Sequence, residues 1–547
     1  MDVQGRDRLK VWTPLFFSIV LIIGMVLGFN LRDSLRNKRD ISTVMRHNDR
    51  LEAIINLINE KYVDTINSND LYRDAVSGIL KPLDPHTVYI PTEELQGVND
   101  DLDGGFSGIG VEFAIIRDTI EVTSVVENGP SAHAGINIGD QVIKVGDSLV
   151  AGTNINSVRI MHLLRGKQNS VVNVTVKSID NSFLRQVPIT RGIIPIYSVD
   201  ASIMLDEATG YIKINRFSAT TYDEFKKALE QLKQKGAKQL VIDVRDNPGG
   251  YLDAVTSMAD DFLDDSKLIV YTQGQHMPKT EYKAKDKGLF ETGKLAILVD
   301  EGSASASEIL AGAIQDWDRG VIIGRRTYGK GLVQEQYEMP DGAALRLTTA
   351  RYYTPSGRSI QRSFAKGRDA YAQDYEKRFE TGELVGKDIA TPVDTTPYYT
   401  GKKRVVYGGG GIKPDIYVPY DTSRWSDPLV NMIMSEELKT AIWDYFISNR
   451  AKLKFSSILD FSRSFNGEGQ IINNYMAVLS ADERKSVSKQ LTNGANQKYF
   501  QMQIKAQLAR FLFRDNGYYS IKLKDDNVVN KALEVMNSEQ YVKILGK

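Results

Sequence analysis

The sequence predicts a mixed α/β protein with a small β-rich domain ahead of its main sheet and a helical region behind it. Three observations predict this. Short apolar runs at Leu240 to Val244, Leu295 to Val299 and Val321 to Ile323 alternate with amphipathic stretches of helical length, and strands alternating with helices imply a sheet covered by helices. From about Val98 to Ile193 the texture changes to short strands separated by glycine turns. From Ser426 onward the pattern is helical, with Ile504, Leu508, Phe511 and Leu512 forming one apolar stripe.

Taken in order, the chain divides into a short cationic terminus (1–10), an uncharged run (11–30), a helical region (31–97), the β-rich domain (98–193), the α/β domain (194–425) and the helical extension (426–547). Arg6, Arg8 and Lys10 precede the uncharged run from Val11 to Asn30, which is long enough to span a bilayer. No small-residue cleavage site follows it, so it reads as a retained signal anchor. Leu51, Ile54, Ile55, Ile58 and Tyr62 then follow helical spacing. Leu83-Asp84-Pro85-His86-Thr87 reads as a turn. In the β-rich domain, Gly129-Pro130-Ser131-Ala132 starts a turn and short helix, Val158 to Leu164 a second helix, and Val171 to Val176 a closing strand. In the α/β domain, helices are expected at Tyr222 to Gln234, Leu252 to Phe262 and Ser305 to Trp317. The stretch 362–408 is polar and aromatic with little periodicity, and reads as an inserted loop.

Composition narrows the chemistry. Of 547 residues, 42% are hydrophobic and 25% charged, which suits a globular chain too long for one core. Lys+Arg and Asp+Glu both number 69, and this balance argues against a nucleic-acid binder. With no cysteine, thiol catalysis, disulfides and thiolate metal sites are excluded. The five histidines, His47, His86, His133, His162 and His276, show no metal-ligand spacing. One of them could still join a Ser-His-Asp triad in space.

The most informative stretch is Asp300-Glu301-Gly302-Ser303-Ala304-Ser305-Ala306-Ser307-Glu308, followed by Thr327-Tyr328-Gly329-Lys330-Gly331. Ser305 sits where an apolar strand turns into a helix. A serine nucleophile needs a base, and a lysine kept neutral by burial can be one. At a helix start the Ala306 amide would face an oxyanion. Ser305 to Glu308 is also a capping box, which explains the serine without catalysis. Arg245-Asp246-Asn247-Pro248-Gly249-Gly250 follows a buried strand, and the Gly249 or Gly250 amide could supply a second oxyanion donor. Asp316, near the C-terminal end of the Ser305 helix, is misplaced for the helix dipole and should have a cationic partner.

Together these stretches resemble the carboxyl-terminal processing proteases, also called tail-specific proteases. The resemblance runs from about Leu51 to Tyr417 and takes in Leu83-Asp84-Pro85-His86, Asp243 to Gly250, Ser303 to Glu308, Thr327 to Gly331 and Tyr352 to Arg358. It implies a ClpP/crotonase-like sheet covered by helices, a serine–lysine dyad on Ser305 and Lys330, and Gln334 supporting the lysine. The region 98–193 resembles the PDZ domain this family inserts. Ser107, Gly108, Ile109, Gly110 and Val111 match the loop that holds a peptide's terminal carboxylate; consecutive amides in a glycine turn form an anion nest. Arg165 matches an arginine that couples the two domains. The insert 362–408 departs from the family pattern, and the extension after Ser426 has no counterpart.

The expected function is a membrane-anchored serine endopeptidase that trims proteins near free, apolar C-termini, without metal or organic cofactor and without nucleic acid. The expected location is a bacterial inner membrane, crossed once, with the body on the periplasmic side, although flanking charge alone does not orient the anchor. The helices after Ser426 leave open a homo-oligomer, a docked partner or a cap on the sheet. Two rivals remain: a catalytically silent PDZ adaptor, and an α/β hydrolase of small acyl substrates.

Overall fold

A computed structural model describes residues 50–179, 183–264, 266–386, 395–422 and 427–546. The expected anchor, Val11 to Asn30, lies outside the described residues. Among the described residues no helix is long and apolar enough to cross a membrane. The chain forms two compact units, one ending at Leu83 and one beginning at Asp84. In the first, residues 50–61 are helical and Ser68–Leu80 is a second helix, capped by Asn67, whose side chain accepts from Asn69 N.

The second unit is built around a six-stranded sheet in the order Val199–Met204, Thr209–Ile214, Gln239–Asp243, Lys294–Val299, Val321–Gly324 and Ile416–Tyr417. The first pair is antiparallel and the rest are parallel. Crossover helices Thr221–Gln234, Leu252–Asp260 and Ala306–Asp316 follow the strands. They bury one face of the sheet: Ile212, Ile242, Ile297 and Ile322 pack with Phe225, Val255, Leu310 and Ile314. The alternate residues Tyr211, Val241, Ala296, Leu298 and Ile323 point to the other face. There Val528, Val529, Ala532, Val535 and Met536, from the helix Asn527–Met536, cover them. Both faces are dry, which is why these strands read as short apolar runs rather than as alternating ones. Strand C-terminal ends open into the segments 244–250, 300–305 and 325–330. Ligand sites of open α/β sheets form along that edge. A second sheet carries Leu332–Glu338 and Ala344–Tyr353 side by side.

The β-rich domain is an antiparallel sheet ordered Val111–Ile116, Thr119–Val125, Gln141–Val145, Val171–Lys177 and Leu184–Thr190, with the helix Ser157–Leu164 against it. Val111–Ile116 is an edge strand. The expected start at Val98 is too early, because the helix Thr92–Asp103 runs through it. That helix stops at Gly104, whose φ of 77° supplies a left-handed cap, and the first strand begins at Gly105.

The extension is helical, as expected, and most of its apolar stripe is spent inside the chain. Ile504 and Leu508 are fully buried, in a cluster with Trp443, Phe461 and Phe500 that also takes in Ile116 of the β-rich domain. Trp443 Nε1 donates to Glu121 Oε2. Arg514, at φ 56° in the long helix Gly494–Lys522, donates to Val125 O at 2.9 Å. The extension therefore contacts the β-rich domain and caps the main sheet. The insert is not wholly loop either: Arg368–Ala372 and Asp374–Glu380 are short helices, while 387–394 lies outside the described residues.

Candidate active site

Ser305 is the N-cap of Ala306–Asp316, at φ 54° and ψ −113°. A non-glycine residue held there stores about 1–3 kcal/mol of strain, and the close approach of Gly249 accompanies it. A Cβ on Gly249 would stand 2.7 Å from Ser305 Cβ, and Gly249 itself adopts φ 99°, so only glycine fits. The three serines of the motif separate cleanly. Ser303 is buried, with Oγ donating to Val244 O at 2.7 Å. Ser307 is buried, with Oγ donating to Asn247 O at 2.9 Å. Ser305 alone is half-buried.

The turn after Gln239–Asp243 lies against this serine. Asn247 is fully buried and holds it in place: its side chain donates to Ile214 O at 3.0 Å and its carbonyl accepts from Ala304 N at 2.9 Å. Of the two glycines expected to offer a second donor, Gly249 already donates to Asn247 Oδ1 at 2.9 Å. The amides of Gly250 and Ala306 donate to no group among the described residues. Gly250 has φ 145°, and a Cβ there would lie 2.0 Å from Phe217 O. Asp300 Oδ1 accepts from Asp246 N, Gly302 N and Ser303 N, closing the loop before the serine. Burial and the neighbouring Asp246 and Glu301 charges raise the Asp300 carboxyl to about 6.

Lys330 follows Val321–Gly324 on a loop and is half-buried. Burial lowers its pKa from the usual value, aided by the Arg346 charge and opposed by Asp84 and Glu308. Nζ donates to Gln334 Oε1 at 2.9 Å, and Gln334 Nε2 donates to His86 O at 2.5 Å. No hydrogen bond joins Ser305 Oγ to Lys330 Nζ among the described residues, and catalytic bonds often close only around substrate. The histidine alternative finds no support. His86 Nε2 lies 2.9 Å from Tyr371 Oη, and burial followed by the Lys330 charge lowers its pKa to about 4. Asp316 has the cationic partner its position demands, Arg358 at 2.7 Å, both buried.

Sequence reasoning missed two residues. Glu308 appeared only as half of a capping box, and that half is present, since Ser305 N donates to Glu308 Oε2 at 2.9 Å. The same fully buried carboxylate also accepts from Lys330 N at 2.9 Å, Gly329 N at 2.7 Å and Thr327 Oγ1 at 2.5 Å. Burial raises its pKa to about 7. Tyr352 Oη lies 3.0 Å from Ser305 O and 2.6 Å from Lys330 O. The insert also braces this loop. Arg378 donates to Arg326 O and Thr327 O at 3.0 Å, and Arg326 makes a two-pronged pair with Glu383. A cavity of about 560 Å³ beside Lys330 is lined by His86, Pro248, Tyr328, Tyr375 and Tyr420, so the insert supplies part of its wall through Tyr375.

In the β-rich domain, the amides of Ile109 and Gly110 donate to no backbone group among the described residues. Ser107 Oγ is buried without a partner among them. Ser107 opens onto a cavity of about 830 Å³ lined also by Val158, Met161, His162 and Arg165. Arg165 bonds Asp100 at 3.2 Å and lies 4.0 Å over the Phe106 ring; the groups it contacts are in this domain and the helix before it.

Residues 208–367 match the model of peptidase family S41, and residues 107–182 match that of the PDZ domain. A carboxy-terminal-processing protease of Bartonella bacilliformis is 34% identical over 316 residues, covering 57% of this chain and 72% of the relative. A probable CtpA-like serine protease of Staphylococcus aureus is 32% identical over 374 residues, covering 65% and 71%. The solved photosystem II D1 C-terminal processing protease is 28% identical, with 55% of this chain and 82% of that chain covered at a TM-score of 0.32. With this sheet, this PDZ domain and relatives matched over more than two thirds of their length, the chain belongs to the carboxyl-terminal processing proteases and is a serine-type peptidase with an inserted PDZ domain.

Proposed function

We propose that the chain is a membrane-anchored endopeptidase in which Ser305 attacks the scissile carbonyl and neutral Lys330 takes its proton, then returns it to the leaving amine. One observation carries this reading: the strained, half-buried Ser305 and the half-buried, pKa-depressed Lys330 bond through their backbones to the same two side chains, Glu308 and Tyr352. Gly250 and Ala306 amides hold the oxyanion, with Gly249 shaping the turn, and Gln334 orients Lys330. The substrate's free, apolar C-terminus docks in the PDZ domain, its carboxylate on the amides from Gly108 to Val111, its chain added beside the edge strand Val111–Ile116. This favours a peptide substrate over a small acyl ester. The uncharged run 11–30 anchors the body outside the cytoplasm of a bacterial cell, and any homo-oligomer uses a surface other than the buried face of the C-terminal helices.

The test uses the full chain and proteins bearing apolar tails. Ser305→Ala and Lys330→Ala each abolish cleavage while the fold survives, and Lys330→Arg fails too because arginine stays protonated. Normal cleavage by folded Ser305→Ala overturns the assignment. Digestion of the body from outside spheroplasts tests the topology, and a protected body reverses it.

A further inference from the structure

The two residues of the proposed dyad are held through the same two side chains, from both ends of their peptide groups. Glu308 accepts from the amides of Ser305 and Lys330, each at 2.9 Å. Tyr352 Oη reaches their carbonyls, at 3.0 and 2.6 Å. Glu308 and Tyr352 come from different elements, the helix Ala306–Asp316 and the strand Ala344–Tyr353. A helix cap needs only the bond to Ser305. The three further donors to Glu308, from Thr327, Gly329 and Lys330, belong to the lysine's loop. Among the described residues no ion pair offsets the Glu308 charge, which is fully buried. A buried carboxylate with four donors and no cation is costly in a fold that needs only a cap there.

We propose that Glu308 and Tyr352 form a double clamp that sets the distance and register between nucleophile and base, acting as positioning residues for catalysis. The inference rests on the reading of Ser305 and Lys330 as the dyad. The clamp is needed because neither partner is placed by regular structure: Ser305 is at positive φ, and Lys330 lies on a loop between two strands. Tyr352 has one proton for two carbonyls, so its bond is shared between them. A single buried hydroxyl therefore senses both residues at once. A one-ångström error between reacting groups costs about 10²-fold in rate, so loosening either side should lower kcat and leave KM alone.

The experiment compares wild type, Tyr352→Phe, Glu308→Gln, the double variant and Ser305→Ala on a tail-bearing protein, with melting followed by circular dichroism. Tyr352→Phe keeps the buried ring and loses only the hydroxyl, so it stays informative if Glu308→Gln fails to fold. Each single variant should lower kcat about 10²-fold with KM unchanged. The double variant should fall little below the worse single, since both act on one unit. The pH profile separates positioning from packing. Three charges act on Lys330: Arg346 lowers its pKa, and Asp84 and Glu308 raise it. Glu308→Gln removes one raising charge, so the rising limb of kcat/KM should move to lower pH, whereas Tyr352→Phe should leave the limb in place. Folded single variants with kcat within about 3-fold of wild type, well short of the loss that misplacement causes, overturn the clamp; if Ser305→Ala is inactive in the same assay, the dyad reading stands. An active Ser305→Ala overturns both.

Discussion

Two glycine turns carry amides that find no backbone partner among the described residues, Gly250 in one and Ile109 and Gly110 in the other, and their glycines are confined differently. The turn from Asp246 to Gly250 is packed against backbone: Asn247 is fully buried, and a side chain on Gly249 or Gly250 would strike backbone or Ser305 within 3 Å. The turn from Gly108 to Val111 is buried as well, but side chains rather than backbone enclose its glycines. It stands at the start of an edge strand, and the nearest atom to a Cβ on Gly110 is the end of the Ile194 side chain at 3.0 Å. A donor aimed at a charge that exists only in the transition state gains from rigidity, because no reorganisation is left to pay for at that moment. A loop that takes the tails of different proteins needs room for a strand to add.

The largest effect should come from breaking the backbone-packed turn. Gly250→Ala places a methyl against Phe217 O at a φ that L residues rarely adopt. Removing one oxyanion donor costs about 10²–10³-fold in kcat, and a comparable loss is expected here, read by steady-state kinetics with tail binding unchanged. Wild-type kcat in a folded Gly250→Ala would show that this amide is not a donor. Gly110→Val tests the turn of the PDZ domain. It should weaken binding of a free-acid tail at least about 10-fold, or about 1.4 kcal/mol, as titrated by fluorescence anisotropy. Amidating the tail should do the same in wild type. Equal binding of acid and amide tails would remove the carboxylate-reading role.

Smaller effects sharpen the contrast between serines. Ser303→Ala and Ser307→Ala each strip a buried hydrogen bond, so each should lower stability by about 1–3 kcal/mol without destroying the nucleophile. Calorimetry and covalent labelling of Ser305 by a fluorophosphonate would read the two quantities separately. The smallest effect concerns pH. Lys330 must be neutral to act and its pKa is lowered by burial, so kcat/KM should rise with pH through a value below 10.5. With a pKa of about 4, His86 should add no limb between about pH 5 and 9. Glu308 has the opposite sign for stability. Its folded pKa, about 7, exceeds the ordinary glutamate value of 4.5, so between these values the folded state holds more protons and stability falls as pH rises. Glu308→Gln should flatten that slope.

Much of this protein was legible because its signals are local. The strands Gln239–Asp243 and Lys294–Val299 are continuous apolar runs because both faces are covered, and the helix after Ser305 declared itself by its capping box and its stripe at Ile309, Leu310, Ala313 and Ile314. Asp316 announced a cationic partner by sitting at the wrong end of a dipole, though not that the partner was Arg358. The motifs also placed Ser305, Lys330 and the glycine turn, which tertiary structure brings to one edge of the sheet.

Only the tertiary structure decided what those residues touch. Glu308 looks like an ordinary cap from its own helix, because pattern reading sees partners within a turn or two, and its other donors stand 19 to 22 positions away. Tyr352 shows no signal, since one aromatic on a strand is the same letter whether it packs or bonds. The insert read as loop because its helices are short, and only the folded chain shows Arg378 reaching carbonyls about 50 residues back. By itself the sequence determined the periodicities, the turns and the chemistry on offer. Which amides find no partner among the described residues, which carboxylate is buried with no cation among them and which helix faces the PDZ domain depended on long-range closure, where partners distant in sequence compete for the same few donors and acceptors.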